Sequence, residues 1–140
     1  VSRDDRPRRD DRDDRPRRDW DDAYANMAHI PGSDALPATW AREAAAFRER
    51  VPPEEITYGA HPRERLDLFR PEGAARGLAV IVHGGYWMRT DKSVWSHLAA
   101  GALAQGWAVA MPSYVLTPEV RISDITRQVG TAVARAAQAV

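Results

Sequence analysis

The 140-residue sequence contains no cysteine, which excludes disulfides, thiolate metal sites and thiol nucleophiles and fits a reducing compartment. No apolar run approaches the ~20 residues needed to span a bilayer. The 20 basic and 20 acidic side chains cancel, and neither sign forms the stripe of a protein that binds nucleic acid or an anionic membrane. No G-x-G-x-x-G or G-K-[ST] follows an apolar strand, which disfavours a nucleotide-binding domain. Residues 1–19 lack Leu, Ile, Phe, Tyr, Trp and Met, yet hold eight Arg and seven Asp. With both signs abundant they are neither a secretory signal nor an acid-poor transit peptide. A soluble cytoplasmic protein with no nucleic-acid or membrane partner is the expectation.

The charged segment is a repeat. RDDRPRRDD (Arg3 to Asp11) is followed by RDDRPRRDW (Arg12 to Trp20), identical at eight of nine positions. It cannot bury enough apolar surface to offset the entropy of ordering it, so residues 1–19 are expected to be a disordered tail, a solvated extension rather than an interaction arm. The folding part starts near Trp20 and occupies residues 20–140, about the size of one small domain.

Within that part the hydrophobic period changes several times. ALPATWAREAAAFRERVPP reads as a helix from an N-cap at Thr39 to Arg50, stopped by Pro52 and Pro53. EEITYGAHPRERLDLFRPEG reads as a hairpin, with Ile56 and Tyr58 on one strand and Leu66, Leu68 and Phe69 on the next. GLAVIVHGG is an apolar run suited to a strand buried on both faces. SVWSHLAAGALAQG reads as a helix with Ser93 as N-cap and Gly106 as stop, and WAVAMPSY as another short buried strand. The last stretch places Val120, Ile122, Ile125, Val129 and Val133 on one helical face. Strands alternating with helices of these lengths imply an α/β sheet with parallel strands, in which ligands sit beyond the carboxyl ends of the strands.

The stretch HGGYW (His83 to Trp87) lies at such an end. Two consecutive glycines let the backbone take conformations closed to other residues and let a ligand approach the amides. Amides aimed at a tetrahedral oxyanion stabilise it by about 3 kcal/mol apiece. His83, Tyr86 and Trp87 can orient the loop and wall a pocket. A Gly-Gly turn that merely reverses the chain is the alternative for the pair taken alone.

The surrounding residues carry more. ITYG (56–59), ERLDLFRP (64–71), HGGYWMRTDKS (83–93) and PSYVLTPEVRISDITRQV (112–129) together resemble the kynurenine formamidase (arylformamidase) branch of the α/β-hydrolases and its bacterial esterase relatives. The resemblance implies the N-terminal part of an α/β-hydrolase fold and a serine hydrolase acting by acyl transfer on a small ester or N-formyl amide. It makes Gly84, Gly85 and Tyr86 the oxyanion-hole amides, has His83 brace the loop from behind, and has Trp87 and Tyr114 shape the substrate pocket. This acyl transfer needs only protein groups, so neither metal nor organic cofactor is expected.

One part of the pattern is missing. The serines are Ser2, Ser33, Ser93, Ser96, Ser113 and Ser123, and none stands in G-x-S-x-G. In the resembled fold nucleophile, acid and base all follow the oxyanion loop in the order Ser, acid, His. His83 is therefore not the base, and His29, His61 and His97 sit in no motif. The expectation is the N-terminal part of a hydrolase, completed by a C-terminal half or paired with a second copy, with LAVIV left as an uncovered sheet edge. The isolated polypeptide is expected to be poorly soluble and hydrolytically inert. The alternative is a non-catalytic hydrolase remnant that binds a partner or ligand.

Overall fold

A computed structural model describes residues 18–140. The expected disordered tail, apart from Arg18 and Asp19, lies outside the described residues. Two compact units divide at Asp34 and Ala35. In the first, α1 (Trp20–Tyr24) is capped by Asp19, whose carboxylate accepts the amides of Asp21 and Asp22 at 3.0 and 3.2 Å. A 3₁₀ turn over Asn26–His29 follows, and His29 Nε2 lies 3.0 Å from the Asp22 carbonyl.

The second unit opens with α2 (Leu36–Arg50). The helix starts three residues before the expected cap at Thr39. Pro37 stands in the first turn, where its missing N–H has no intrahelical partner to lose and its fixed φ suits the helix. Thr39 is inside that turn, and its hydroxyl donates back to the Ala35 carbonyl at 3.2 Å.

The expected hairpin is β1 (Glu54–Thr57) against β2 (Arg65–Phe69), antiparallel, with Ile56 opposite Leu66. The apolar run after it forms only a three-residue strand, β3 (Leu78–Val80), half-buried rather than buried on both faces. It stands at the edge of the sheet, whose order is β1-β2-β4-β3. With one ladder instead of two, pairing ends early. The next segment turns as a 3₁₀ helix over Lys92–Ala99 and then as α3 (Ala100–Ala104). Its N-cap is Asp91 rather than Ser93: the Asp91 carboxylate accepts the Ser93 amide at 2.7 Å and the Ser93 hydroxyl at 2.5 Å. An ionised acceptor two residues upstream takes both donors, so the hydroxyl has no capping left to do. Gly106, at φ +79, closes α3 as expected.

β4 (Ala108–Pro112) runs antiparallel to β2 and parallel to β3. All five of its residues are buried, so it is the strand covered on both faces. The period-two alternation sorts its side chains. Ala108 and Ala110 pack with Leu66, Leu68, Ala132 and Ala136 of the helix α4 (Ile122–Ala139), while Val109 and Met111 pack with Phe69, Ala99 and Phe47 of α2. A sheet between two helical layers results. Within α4 the buried positions are Ile125, Ala132 and Ala136, whereas Ile122 and Val133 are exposed. The expected stripe of branched residues is rotated because alanines face the sheet, where small side chains fit between helix and strands.

Candidate active site

The carboxyl ends of β3 and β4 point the same way, and the segments leaving them form the site. After β3 the Ile81 amide still bonds the Ala110 carbonyl at 2.9 Å, and the chain then enters the loop that begins at His83. Left-handed backbone follows: Gly85 has φ +117, and Tyr86, Trp87 and Thr90 have φ +54, +58 and +66. For the three residues with side chains this costs about 1–2 kcal/mol each, so their surroundings must impose it.

Hydrogen bonds to three successive carbonyls do so. The Tyr114 hydroxyl donates to His83 O at 2.8 Å. The Thr90 hydroxyl and His83 Nδ1 each donate to Gly84 O at 2.8 Å. The amides of Met88 and Arg89 donate to Gly85 O at 3.0 Å. Because a trans peptide is planar, with its N–H opposed to its C=O, fixing each carbonyl fixes the next residue's N–H. The amides oriented this way are those of Gly84, Gly85 and Tyr86, the three residues expected to hold an oxyanion.

His83 is buried and stacks on Tyr114, with ring centroids 4.3 Å apart and planes 5° from parallel. Its Nδ1 lies 2.8 Å from a carbonyl and therefore carries the proton, which leaves Nε2 as a lone pair, buried and, among the described residues, without a hydrogen-bond partner. Burial pushes the imidazole pKa below its ordinary value against the opposing pull of the Gly84 carbonyl, so the neutral ring is favoured. Burial also pushes the Tyr114 phenol up, which keeps it a donor.

A cavity of about 220 Å³ adjoins this arrangement, lined by Val82, His83, Trp87, Tyr114, Ile125, Thr126 and Val129. Trp87 is held over it where its carbonyl accepts the Thr117 amide at 2.9 Å. Val115 N donates to Gln128 Oε1 of α4 at 2.9 Å, which ties the α4 wall to the β4 exit. The sequence-expected residues Trp87 and Tyr114 thus share one cavity with His83.

Three serines near the loop make hydrogen bonds within their own segments or to the neighbouring turn. Ser93 is committed to Asp91, the Ser96 hydroxyl donates to Ser93 O at 3.3 Å, and Ser113 Oγ accepts the Lys92 amide at 3.0 Å. Sequence reasoning missed Thr90, whose hydroxyl serves both Gly84 O and His83, because a lone threonine in a polar turn carries no signal. It also missed a buried ion pair beside the loop. Lys92 Nζ meets Asp67 Oδ1 at 2.5 Å and Glu55 Oε2 at 2.8 Å, with Asp67 itself 3% exposed. Desolvation works against the Lys92 charge, but the two carboxylates outweigh it and hold its pKa above the ordinary value. Among the described residues no group of three or more His, Asp or Glu is placed to hold a metal ion, and no helix is long and apolar enough to cross a membrane.

A solved protein of Silicibacter sp. TM1040, provisionally described as a thioesterase, is 54% identical and superposes with a TM-score of 0.85 over 87% of this chain. Esterase B of Lactobacillus rhamnosus, at 23% identity, shares the fold with a TM-score of 0.58 over 81% of the chain. The fold is that of the α/β-hydrolases. Kynurenine formamidase of Drosophila melanogaster is 29% identical over 83 residues, 58% of the chain. No family model matches. The chain spans 48% of the Silicibacter protein and 27% of the formamidase, about half or less of the proteins it matches.

Proposed function

We propose that this chain supplies the oxyanion-holding part of a serine-hydrolase site in the formamidase-like and esterase-like group. The site acts by acyl transfer on a small, aromatic ester, thioester or N-formyl amide. The observation that carries the reading is the locking of three consecutive peptide planes, through His83 O, Gly84 O and Gly85 O, beside a cavity walled by Trp87 and Tyr114.

All three substrate classes pass through the same intermediate. The base takes the proton of the serine hydroxyl as its oxygen bonds to the carbonyl carbon, and the π pair moves onto the carbonyl oxygen. The amides of Gly84, Gly85 and Tyr86 receive that oxygen, and collapse expels an alcohol, thiol or amine that takes a proton from the base. Water then releases the acid by the reverse sequence. Donors already aimed before reaction need no reorganisation as the charge develops. Serine nucleophile, acid and histidine base are not among these 140 residues on this reading. His83 is excluded as the base, since its Nδ1 proton is held by Gly84 O and its Nε2 is buried.

The test is a chimera in which residues 54–140 replace the matching segment of the Silicibacter relative. Hydrolysis of p-nitrophenyl acetate and of an N-formyl arylamine is then followed. Turnover that falls at least a hundred-fold on Gly85→Pro supports the reading. A folded chimera without turnover, or one indifferent to that change, overturns it, and turnover by the 140-residue chain alone overturns the absence of a nucleophile. The remnant alternative is favoured by the half-buried edge strand β3 and the exposed Val82 beyond it, and an inert folded chimera would support it.

A further inference from the structure

We infer that Arg63, in the turn between β1 and β2, is a positioning residue for the oxyanion loop, clamping the segments that leave β3 and β4 to one another. The inference rests on the oxyanion reading for its purpose, while its geometry stands independently. One guanidinium makes two short bonds to main-chain carbonyls: Nε donates to Tyr114 O and Nη2 to Thr90 O, both at 2.7 Å. Tyr114 lies just beyond β4, and Thr90 lies at the far end of the loop after β3.

Each of those two residues grips the loop with its side chain. Tyr114 donates its hydroxyl to His83 O at 2.8 Å. Thr90 donates to Gly84 O at 2.8 Å, and its Oγ1 lies 3.1 Å from His83 Nδ1. A closed circuit therefore runs from Arg63 through Tyr114, His83, Gly84 and Thr90 back to Arg63. Thr90 is itself left-handed, at φ +66, a conformation that persists only where neighbours impose it. The Arg63 bond to its carbonyl is such a constraint.

The clamp has a firm base. The Arg63 amide donates to His61 Nδ1 at 3.1 Å, the His61 amide to Glu64 Oε2 at 2.8 Å, and the Tyr58 amide to Glu64 O at 3.0 Å. Arg65 Nη1 reaches the His61 and Glu64 carbonyls at 3.1 Å. A turn fixed from within can hold a distant loop; a mobile one could only follow it. Lysine would not substitute, because a single ammonium is a point donor, whereas the planar fork presents Nε and Nη2 in fixed directions to two carbonyls at once. Arg63 acts through Thr90 and Tyr114, so its variants should disturb the loop and not the sheet.

The test is NMR on the 15N-labelled 140-residue chain, comparing Arg63→Met, Arg63→Lys and the surface control Arg70→Met. The amides of Met88 and Arg89, which close the loop on Gly85 O, should exchange at least ten-fold faster in Arg63→Met and by an intermediate factor in Arg63→Lys. The His83 ring nitrogens should move from a fixed Nδ1–H pattern toward averaged values. Amides of β4 should stay within two-fold of the parent, and Arg70→Met should change none of these. Loop exchange and His83 signals equal to the parent's would overturn the inference, as would equal acceleration in β4, which would mean only general loosening. Should Arg63→Met fail to fold, the milder Arg63→Lys decides by the same criteria. None of these readouts depends on turnover, so an inert chimera would sink the oxyanion reading while leaving this result to be judged by itself.

Discussion

Alanine at Gly85 and alanine at Gly84 should have opposite consequences, although the two glycines are adjacent. At Gly85 the backbone sits at φ +117, and an added Cβ would lie 2.5 Å from the Arg89 carbonyl oxygen and 3.0 Å from its carbon. Ordinary contact begins near 3.4 Å, so the Arg89 main chain would have to retreat by most of an ångström. The backbone conformation itself costs an L-residue about 1–3 kcal/mol. Moving Arg89 weakens the bond from its amide to Gly85 O, worth about 1 kcal/mol more. The sum is about 2–4 kcal/mol, roughly thirty- to a thousand-fold in the unfolding constant. At Gly84 an added Cβ meets nothing within 4 Å and no left-handed φ is required. That substitution should fall within about 1 kcal/mol of neutral, on the stabilising side through the lost freedom of the unfolded chain. Urea denaturation at unchanged m should place the Gly85→Ala midpoint about 1–2.5 M below the parent. Equal effects of the two alanines, or a Gly85→Ala cost under about 0.5 kcal/mol, would refute the account of the loop as closed tightly on Arg89.

Three further outcomes follow from other parts of the structure. Lys92→Met leaves the buried Asp67 carboxyl, whose pKa burial already pushes up, without its cationic partner and should cost about 3–5 kcal/mol, whereas the double change Lys92→Met with Asp67→Leu should recover most of it in a double-mutant cycle. Tyr58, whose hydroxyl bonds the Ser113 carbonyl, is pushed by burial up to about 12 from its ordinary value of 10.0. The folded state therefore keeps a proton that the unfolded chain releases, and stability should hold below pH 10 and fall by about 2 kcal/mol between pH 10 and 12. Tyr58→Phe should lose that slope, at a cost of about 1 kcal/mol at neutral pH, both read from denaturation midpoints against pH. Tyr114→Phe strips His83 O of its donor and should lower stability by about 1–3 kcal/mol, seen as a fall in Tm of several degrees.

The fold was legible where burial follows a simple period. The hairpin, the α2 helix and the buried strand β4 announce themselves because both sheet faces are covered and the alternation in Ile56, Leu66 and Leu68 has one reading. The helix ends were not legible. Thr39 and Ser93 are good caps in isolation, but Pro37 permits an earlier start and Asp91 outcompetes a neutral hydroxyl two residues on. In α4 the branched residues Ile122 and Val133 carry the stronger hydrophobic signal, yet Ala132 and Ala136 face the sheet because they fit against it. The site divides the same way. His83, Gly84, Gly85, Tyr86, Trp87 and Tyr114 come together as a contiguous motif plus one strand-exit tyrosine. Arg63 and Asp67 with Lys92 look like solvated turn or strand residues, since their partners lie 25 or more residues away, and Thr90, whose hydroxyl reaches only six and seven residues back to Gly84 and His83, belongs to no motif that would report it.

The sheet order has a kinetic corollary. Thr57 pairs with Arg65 across a short turn, but Phe69 pairs with Val109, 40 residues further on. Closing the longer loop costs about 1.4 kcal/mol more chain entropy than closing the eight-residue separation of the hairpin, a factor of about ten in the probability of encounter. By this measure the β1–β2 hairpin closes more readily than the β2–β4 ladder, and β4 is the strand that joins antiparallel and parallel neighbours. Until it does, Tyr114 has nothing to hold, and the loop after β3 remains an ordinary flexible turn.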